Sequence, residues 1–328
     1  MTLQANLADV VTLGELGESA VLARIFPRLP DSTATILGPG DDAAVLRAPD
    51  GRFVVTTDTM IHGPDFRLAW STPHDLGWKA AATNLADVAA MGAVPTALVI
   101  AVAAPPDTDV AVLEGLADGL RDACEALAPG CGVVGGDLSS SATFTLAVTA
   151  FGDLEGRDPV TRSGARPGDV LAVSGPLDLA ARGLELLFTR AVDATGAPDA
   201  ARAVALRAEF PAELEAQLAP SPPLSDGPAA ALAGATAMLD VSDGLAIDAR
   251  RLATASGVRL DILFAALEGP ASLEGGEAHA LLATFPAEAV LPRGFRVIGR
   301  VEAGEGVRVD GVPYDERGGW DPYVDGER

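Results

Sequence analysis

Short apolar runs alternate with alanine-rich, helix-patterned segments along the first half of the chain. Phe53-Val54-Val55-Thr56-Thr57, Thr96 to Val102, Cys131 to Val134 and Phe144 to Thr149 are rich in β-branched residues and bounded by Gly, Pro or Asp, which predicts strands. Between them, Pro73 to Met91 and Asp109 to Leu127 predict helices. Gly, Pro, Arg and Asp cluster from Gly152 to Gly168, just before the apolar run Val170-Leu171-Ala172-Val173, and mark a boundary. Beyond it, Ala194 to Pro223 is helix-prone and ends in the loop Pro220-Ser221-Pro222-Pro223. Ala235 to Leu239 leads into Asp240-Val241-Ser242-Asp243-Gly244, and Ile247 to Ala255 predicts a helix closed by Gly257. The pattern is that of an α/β region, residues 1–152, followed by an α+β region, residues 153–328. No repeat at solenoid spacing is present.

Composition narrows the function classes. The 328 residues correspond to two domains at roughly 150 residues each, ample for buried cores. With 46 acidic against 23 basic residues, the net charge of −23 argues against nucleic acid or an anionic membrane as partner. Cys124 and Cys131 do not have the number or spacing of a zinc ribbon, a redox pair or a disulfide framework, which fits a reduced, cytoplasmic compartment. Met1 to Val21 contains Asp9, Glu15 and Glu18 and no basic residue, unlike a secretory signal. The most apolar stretch, Ala80 to Ala104, is broken by Asn84, Asp87 and Pro95 and cannot span a bilayer. The chain's only lysine, Lys79, lies in Gly77-Trp78-Lys79-Ala80, so there is no P-loop.

The acids are more informative than the net charge. Gly38-Pro39-Gly40-Asp41-Asp42-Ala43 matches a dinucleotide fingerprint in spacing, but two carboxylates beside a pyrophosphate would repel it unless a cation intervened. Similar acids recur at expected strand ends: Asp58 after Thr56-Thr57, Asp137 after Gly135-Gly136, and Asp240 with Asp243 after Leu239. Asp87 interrupts an otherwise apolar helix, where an unpaired acid is costly. Each alone fits a cap or a turn. Together they outnumber the nearby basic residues, and hard divalent cations such as Mg²⁺, held by carboxylates and substrate phosphates, resolve the imbalance. The glycines of Gly135-Gly136 allow backbone amides to approach a phosphate closely. Asp240 to Gly244 is not a calcium loop, since Leu245 and Arg251 occupy the positions of its glycine and glutamate. His62, His74 and His279 are too scattered to suggest a zinc site or a triad.

In this order, these residues resemble the thiamine-monophosphate kinases, part of the group that includes aminoimidazole-ribonucleotide synthetase. The resemblance runs from about Gly14 to Tyr323. It rests on Gly38 to Val45, Thr56-Thr57-Asp58, Asn84 to Ala93, Val134-Gly135-Gly136-Asp137, Thr161 to Asp169 and Asp240 to Leu245. It implies an aminoimidazole-ribonucleotide synthetase-like fold with an N-terminal sheet that pairs across a homodimer. The implied activity is phosphorylation of thiamine monophosphate to thiamine diphosphate, with ATP as co-substrate and several Mg²⁺ ions. Asp42, Thr56, Thr57, Asp58, Asp87, Asp137, Asp240 and Asp243 match the family's metal positions, and Gly136, Asp137, Arg162 and Ser242 its nucleotide positions. Glu277 and Trp320 match thiamine-binding positions.

Three departures fall on the substrate side. Asp65, in His62-Gly63-Pro64-Asp65-Phe66, stands at a substrate-binding position that is usually histidine in the family. Gly275-Gly276-Glu277-Ala278 keeps the signature's glutamate and loses the acid after it, and the stretch from Asp261 to Gly275 is shorter than usual. These departures keep open a non-catalytic or altered-substrate paralogue that binds metal and nucleotide. Another enzyme of the wider group is a third reading.

Overall fold

The computed structural model describes residues 11–39 and 43–320. Two short helices, α1 (Leu13–Leu16) and α2 (Glu18–Ile25), precede a two-stranded antiparallel ribbon of β1 (Thr35–Leu37) and β2 (Val45–Leu46). The chain then builds β3 (Val54–Ile61), α3 (Pro73–Ala90), β4 (Val94–Ala104), α4 (Val110–Leu127), β5 (Gly132–Ser140) and β6 (Thr145–Asp153). These strands form one sheet in the order β3-β6-β4-β5, in which only β4 and β5 run parallel.

α3 begins where the sequence predicts. The Thr72 hydroxyl accepts from the Asp75 amide while the Asp75 carboxylate accepts from the Thr72 amide, a capping box, and Pro73 fills the first turn. Asp109 caps α4 in a similar way, its side chain accepting from the Ala111 amide. The two helices touch backbone to backbone. A Cβ at Gly77 would stand 2.0 Å from the Leu116 carbonyl oxygen, and one at Gly119 would stand 2.0 Å from that of His74. On its other side α3 packs on β6, where Gly152 makes room for Val88. Leu146, Val148 and Ala150 alternate inward along β6 and join Leu85, Val88, Leu113 and Leu120 in the core.

The second half contributes β7 (Val170–Ser174), α5 (Leu179–Arg190), α6 (Ala200–Glu209), α7 (Pro211–Leu218), α8 (Asp226–Leu232), β8 (Ala237–Val241), α9 (Leu245–Ser256) and β9 (Arg259–Ile262). It ends with α10 (Ala271–Glu274), β10 (Ala280–Phe285), β11 (Phe295–Glu302), β12 (Gly306–Val309) and β13 (Val312–Pro313). The second sheet has the order β13-β12-β9-β11-β7-β10-β8, with only β12 and β9 parallel. α9 buries Leu245, Ala249 and Leu252 with Leu260, Ile262 and Val307 on one face. Ala230 of α8 and Ala90 of α3 join Met238, Leu281, Phe285 and Phe295 in a separate cluster. Helix α3 thus serves both sheets.

Several expectations are corrected. The strands expected to end at Thr57 and Val134 continue to Ile61 and Ser140, so Asp58 and Asp137 lie within strands rather than after them. The helix-prone run 194–223 is two helices, broken where Phe210 meets Pro211. The 261–275 stretch holds a single 3₁₀ turn, Phe264–Ala266, and α10. Among the described residues both cysteines are buried and unpaired, and no helix is long and apolar enough to cross a membrane.

Candidate active site

The two sheets meet at the C-terminal half of α3, and three carboxylates converge there. Register places Thr56, Asp58 and Met60 on the helix-facing side of β3, since they pair with the inward-alternating Ala150, Val148 and Leu146. Thr56 donates its hydroxyl to Asp87 Oδ2 at 3.0 Å. From the second sheet, Asp240 lies one residue before the end of β8 and is only 6% exposed.

The electrostatics show how crowded these groups are. Burial, Asp240 and Asp58 push the Asp87 carboxyl up to about 7, against the smaller opposing pull of the Thr56 hydroxyl and His279. Desolvation and the charge of Asp240 likewise raise Asp58. Carboxylates placed this way repel one another unless a cation is supplied. His279 Nδ1 lies 3.6 Å from Asp240 Oδ2, an ion-pair distance too long for a hydrogen bond, and both ring nitrogens are buried without a hydrogen-bond partner among the described residues. Burial would lower the His279 pKa, but Asp240 and Glu277 outweigh it and hold the imidazole above its ordinary value.

The loop after β8 carries the next group. Asp243 is 2.5 Å from Arg251, which also holds the buried Asp248 at 2.6 Å. Asp248 accepts from the amides of Asp243 and Gly244 and so fixes the turn. Gly244, at φ 131°, occupies backbone space closed to other residues, and a Cβ there would meet the Glu274 carbonyl oxygen at 2.9 Å. Trp320 comes back to this turn, donating its amide to the Asp243 carbonyl at 3.0 Å with its side chain partly open to solvent. The Ser242 carbonyl accepts from the Glu277 amide at 2.7 Å, and that of Val241 accepts from His279 at 2.8 Å. Glu277 and His279 both have left-handed backbone, φ 67° and 48°, which is strain of the kind that gathers at functional sites.

Glu277 Oε2 meets the Lys79 ammonium at 2.5 Å. Burial opposes ionisation of Glu277, but Lys79 and His279 outweigh it and lower its pKa. Asp65 faces the same group. Desolvation first, and then the charge of Glu277, raise its carboxyl, while the hydrogen bond from the Ile61 amide at 2.7 Å and the charge of Lys79 oppose the rise.

The structure therefore joins Thr56, Asp58, Asp87 and Asp240, with Asp243, Ser242 and Trp320 on the adjoining turn and Asp65 and Glu277 beside Lys79. It does not bring all the expected residues together. Gly136 and Asp137 lie on β5, at the opposite sheet edge from β3, and Asp137 accepts from Ser139 Oγ at 2.6 Å. The Thr57 hydroxyl is on the other face of β3 from Thr56, where it donates to the Val148 carbonyl and accepts from Thr149. Arg162 is exposed, in a loop that the Ser256 hydroxyl ties down through the Arg162 carbonyl. Asp42 lies outside the described residues. Two members of the site, Lys79 and His279, escaped sequence reasoning. The signals were there: one is the chain's only lysine, and the other lies two residues after Glu277.

Comparison with known proteins places the chain. Residues 40–154 match the family described as AIR synthase related protein, N-terminal domain. The chain is 44% identical over 330 residues to the thiamine-monophosphate kinase of Mycobacterium tuberculosis, covering 95% of this chain and 93% of that one. The chain belongs to the thiamine-monophosphate kinase family. The enzyme of that name from Corynebacterium glutamicum is 39% identical, with 90% and 89% of the two chains covered. A solved structure described as AaThiL complexed with AMPPCP and TMP superposes with a TM-score of 0.70 at 29% identity, covering 95% of this chain and 99% of that one. The fold is accordingly AIR synthase-like.

Proposed function

We propose that the chain catalyses ATP-dependent phosphorylation of thiamine monophosphate to thiamine diphosphate in the cytoplasm. The observation that carries the proposal is the crowding of Asp58, Asp87 and Asp240, which His279 offsets only in part, in a chain 44% identical to a thiamine-monophosphate kinase over nearly its whole length. In the reaction, a phosphate oxygen of thiamine monophosphate forms a bond to the γ-phosphorus of ATP while the bond to the β–γ bridging oxygen breaks, and ADP leaves. The acceptor oxygen is already ionised at neutral pH, so positioning and charge neutralisation suffice without a strong base.

Mg²⁺ fits this donor set. The ligands are all oxygen, and the raised pKa values of Asp58 and Asp87 record negative charge that a divalent ion would relieve. Among the described residues no three His, Cys, Asp or Glu side chains are grouped so as to hold a metal ion, so an ion here would take one or two carboxylates and complete its shell with water and phosphate. Asp58, Asp87 and Asp240 would hold such ions, with Asp42, Asp243 and Asp137 as further ligands and Thr56 and Thr57 alongside. When bound, Mg²⁺ supplies charge neutralisation for the transferring phosphoryl group. Gly136, Asp137, Arg162 and Ser242 are assigned to the nucleotide. Asp65, Glu277 and Trp320 are assigned to thiamine monophosphate, with the Trp320 ring available to a cationic thiazolium.

We also infer a homodimer. Phe53, Val55 and Ile61 are exposed on the side of the first sheet opposite α3 and α4, an apolar face suited to a second copy. We propose the domain division at residues 152 and 153, at the last residue of β6 and ahead of β7. Purified chain incubated with ATP, Mg²⁺ and thiamine monophosphate should form thiamine diphosphate and ADP in equal amounts. No product above a no-enzyme control overturns the proposal. Binding of Mg-nucleotide without turnover would favour the non-catalytic paralogue that Asp65 and Ala278 raise.

A further inference from the structure

Of the 23 basic residues only Lys79 is a lysine, in a chain that uses arginine at every other basic position. Its place is unusual as well. The side chain is 8% exposed, inside the mostly apolar α3. Glu277 Oε2 stands 2.5 Å away, and the Gln217 amide, oriented to satisfy both its ends, accepts from the same ammonium at 3.2 Å while donating to the Ala180 carbonyl at 3.0 Å.

The glutamate is gripped on one side and open on the other. Its Oε2 is buried against the Lys79 ammonium, while 37% of the side chain is exposed. Its backbone is held in the left-handed region by the hydrogen bond from its amide to the Ser242 carbonyl. Left-handed backbone at a non-glycine residue and a buried ammonium each cost stability, and a well-packed apolar pair is often as stable as a buried ion pair. Fold stability alone therefore does not account for the arrangement. A guanidinium is planar and forked, whereas an ammonium is a compact point charge that fits behind a single carboxylate oxygen.

Resting on the proposed function, we propose that Lys79 is a positioning residue for substrate recognition. It anchors one oxygen of Glu277 from behind so that the other is presented to the cationic ring of thiamine monophosphate.

The test is steady-state kinetics on the full chain with Lys79→Met, Lys79→Arg, Glu277→Gln and the Lys79→Met/Glu277→Gln double variant. Lys79→Met should raise KM for thiamine monophosphate about tenfold with kcat and KM for ATP nearly unchanged, the signature of lost uniform binding. Lys79→Arg should show the same split, because the larger planar head displaces the carboxylate. In the Glu277→Gln background, Lys79→Met should have little further effect, since the residue it positions no longer carries charge. Lys79→Gln, which keeps a donor, supplies the same comparison should the Lys79→Met chain fail to fold. An unchanged KM for thiamine monophosphate, equal rises for both substrates, or an undiminished effect in the Glu277→Gln background overturns the assignment. A wild-type chain that forms no thiamine diphosphate overturns the proposed function and this inference together. Wild-type turnover with unaltered kinetics in the Lys79 variants overturns this inference alone.

Discussion

Asp75 and Asp87 belong to the same helix, about 18 Å apart at 1.5 Å per residue, and have opposite electrostatic fates. Asp75 is 3% exposed and fully partnered, accepting from both terminal nitrogens of Arg207 at 2.8 and 3.0 Å and from the Thr72 amide and hydroxyl at 3.0 and 2.7 Å. Burial would raise its pKa, but Arg207 and Thr72 outweigh it and hold the carboxyl below the usual range. Asp87 accepts a hydroxyl from Thr56, is repelled by Asp240 and Asp58 with only a weak opposing pull from His279, and is pushed up to about 7. One acid is neutralised by the fold, and the other is left for a ligand to neutralise. The first kind contributes stability; the second costs stability and makes a site.

The largest test of this contrast is Asp87→Asn. Activity should fall by about a thousandfold or more, because an amide neither neutralises a divalent cation nor orients it as a carboxylate does. The same substitution should stabilise the metal-free protein by a few kcal/mol at pH 8, at about 1.4 kcal/mol per unit of raised pKa. Thermal melting in EDTA beside the kinetic assay reads both effects. A variant that loses activity and stability together would make Asp87 a structural acid like Asp75. Asp75→Asn should do the reverse: about 3 kcal/mol of stability lost in denaturant unfolding, with turnover per folded molecule unchanged.

The two acids also separate by pH. The contribution of Asp75, whose pKa is lowered in the fold, is present above about pH 4 and lost as the pH falls through its depressed value. The Asp87 penalty runs the other way: it is absent below about pH 4, grows as the pH rises toward about 7, and is constant above that. Metal-free protein should therefore lose stability as the pH rises from about 4 to 7, and Asp87→Asn should reduce that slope, leaving the part that Asp58 and Asp248, also raised by burial, contribute. An unchanged slope in the variant would assign the repulsion to those other groups.

How much of this was legible in the sequence depends on the range of the interaction. Helix α3 was expected at Pro73 to Met91 and runs from Pro73 to Ala90, since its capping box and N-terminal proline act over three or four residues. β3 and β5 were expected to stop early because the pattern turns polar at Thr57-Asp58-Thr59 and at Gly135-Gly136-Asp137. The ladder hydrogen bonds to β6 and β4 continue without apolar side chains there. Asp87 stood out as an acid in an apolar run. The pairing of Lys79 with Glu277 did not, because it joins helix α3 of one half to a loop of the other, and neither segment's local pattern refers to its partner. The separation of Asp137 from Asp58 was equally hidden, since equivalent motifs carry no information about which sheet edge each will occupy.

The smallest expected effects come from the two threonines that serve these acids. Thr72 and Thr56 each donate a hydroxyl to an aspartate, at 2.7 and 3.0 Å. Thr72→Val removes an N-cap and one of several partners of a satisfied carboxylate, so it should cost about 1 kcal/mol in unfolding experiments and leave turnover unchanged. Thr56→Val removes the hydroxyl that opposes the crowding of Asp87. Its cost should appear in turnover, about ten- to a hundredfold for a hydrogen bond to a charged group, with little change in melting temperature. If both valines instead lowered stability alike and spared turnover, the fold would be treating the two carboxylates the same way. The distinction between an acid neutralised within the fold and one left for a ligand would then fail at its finest level.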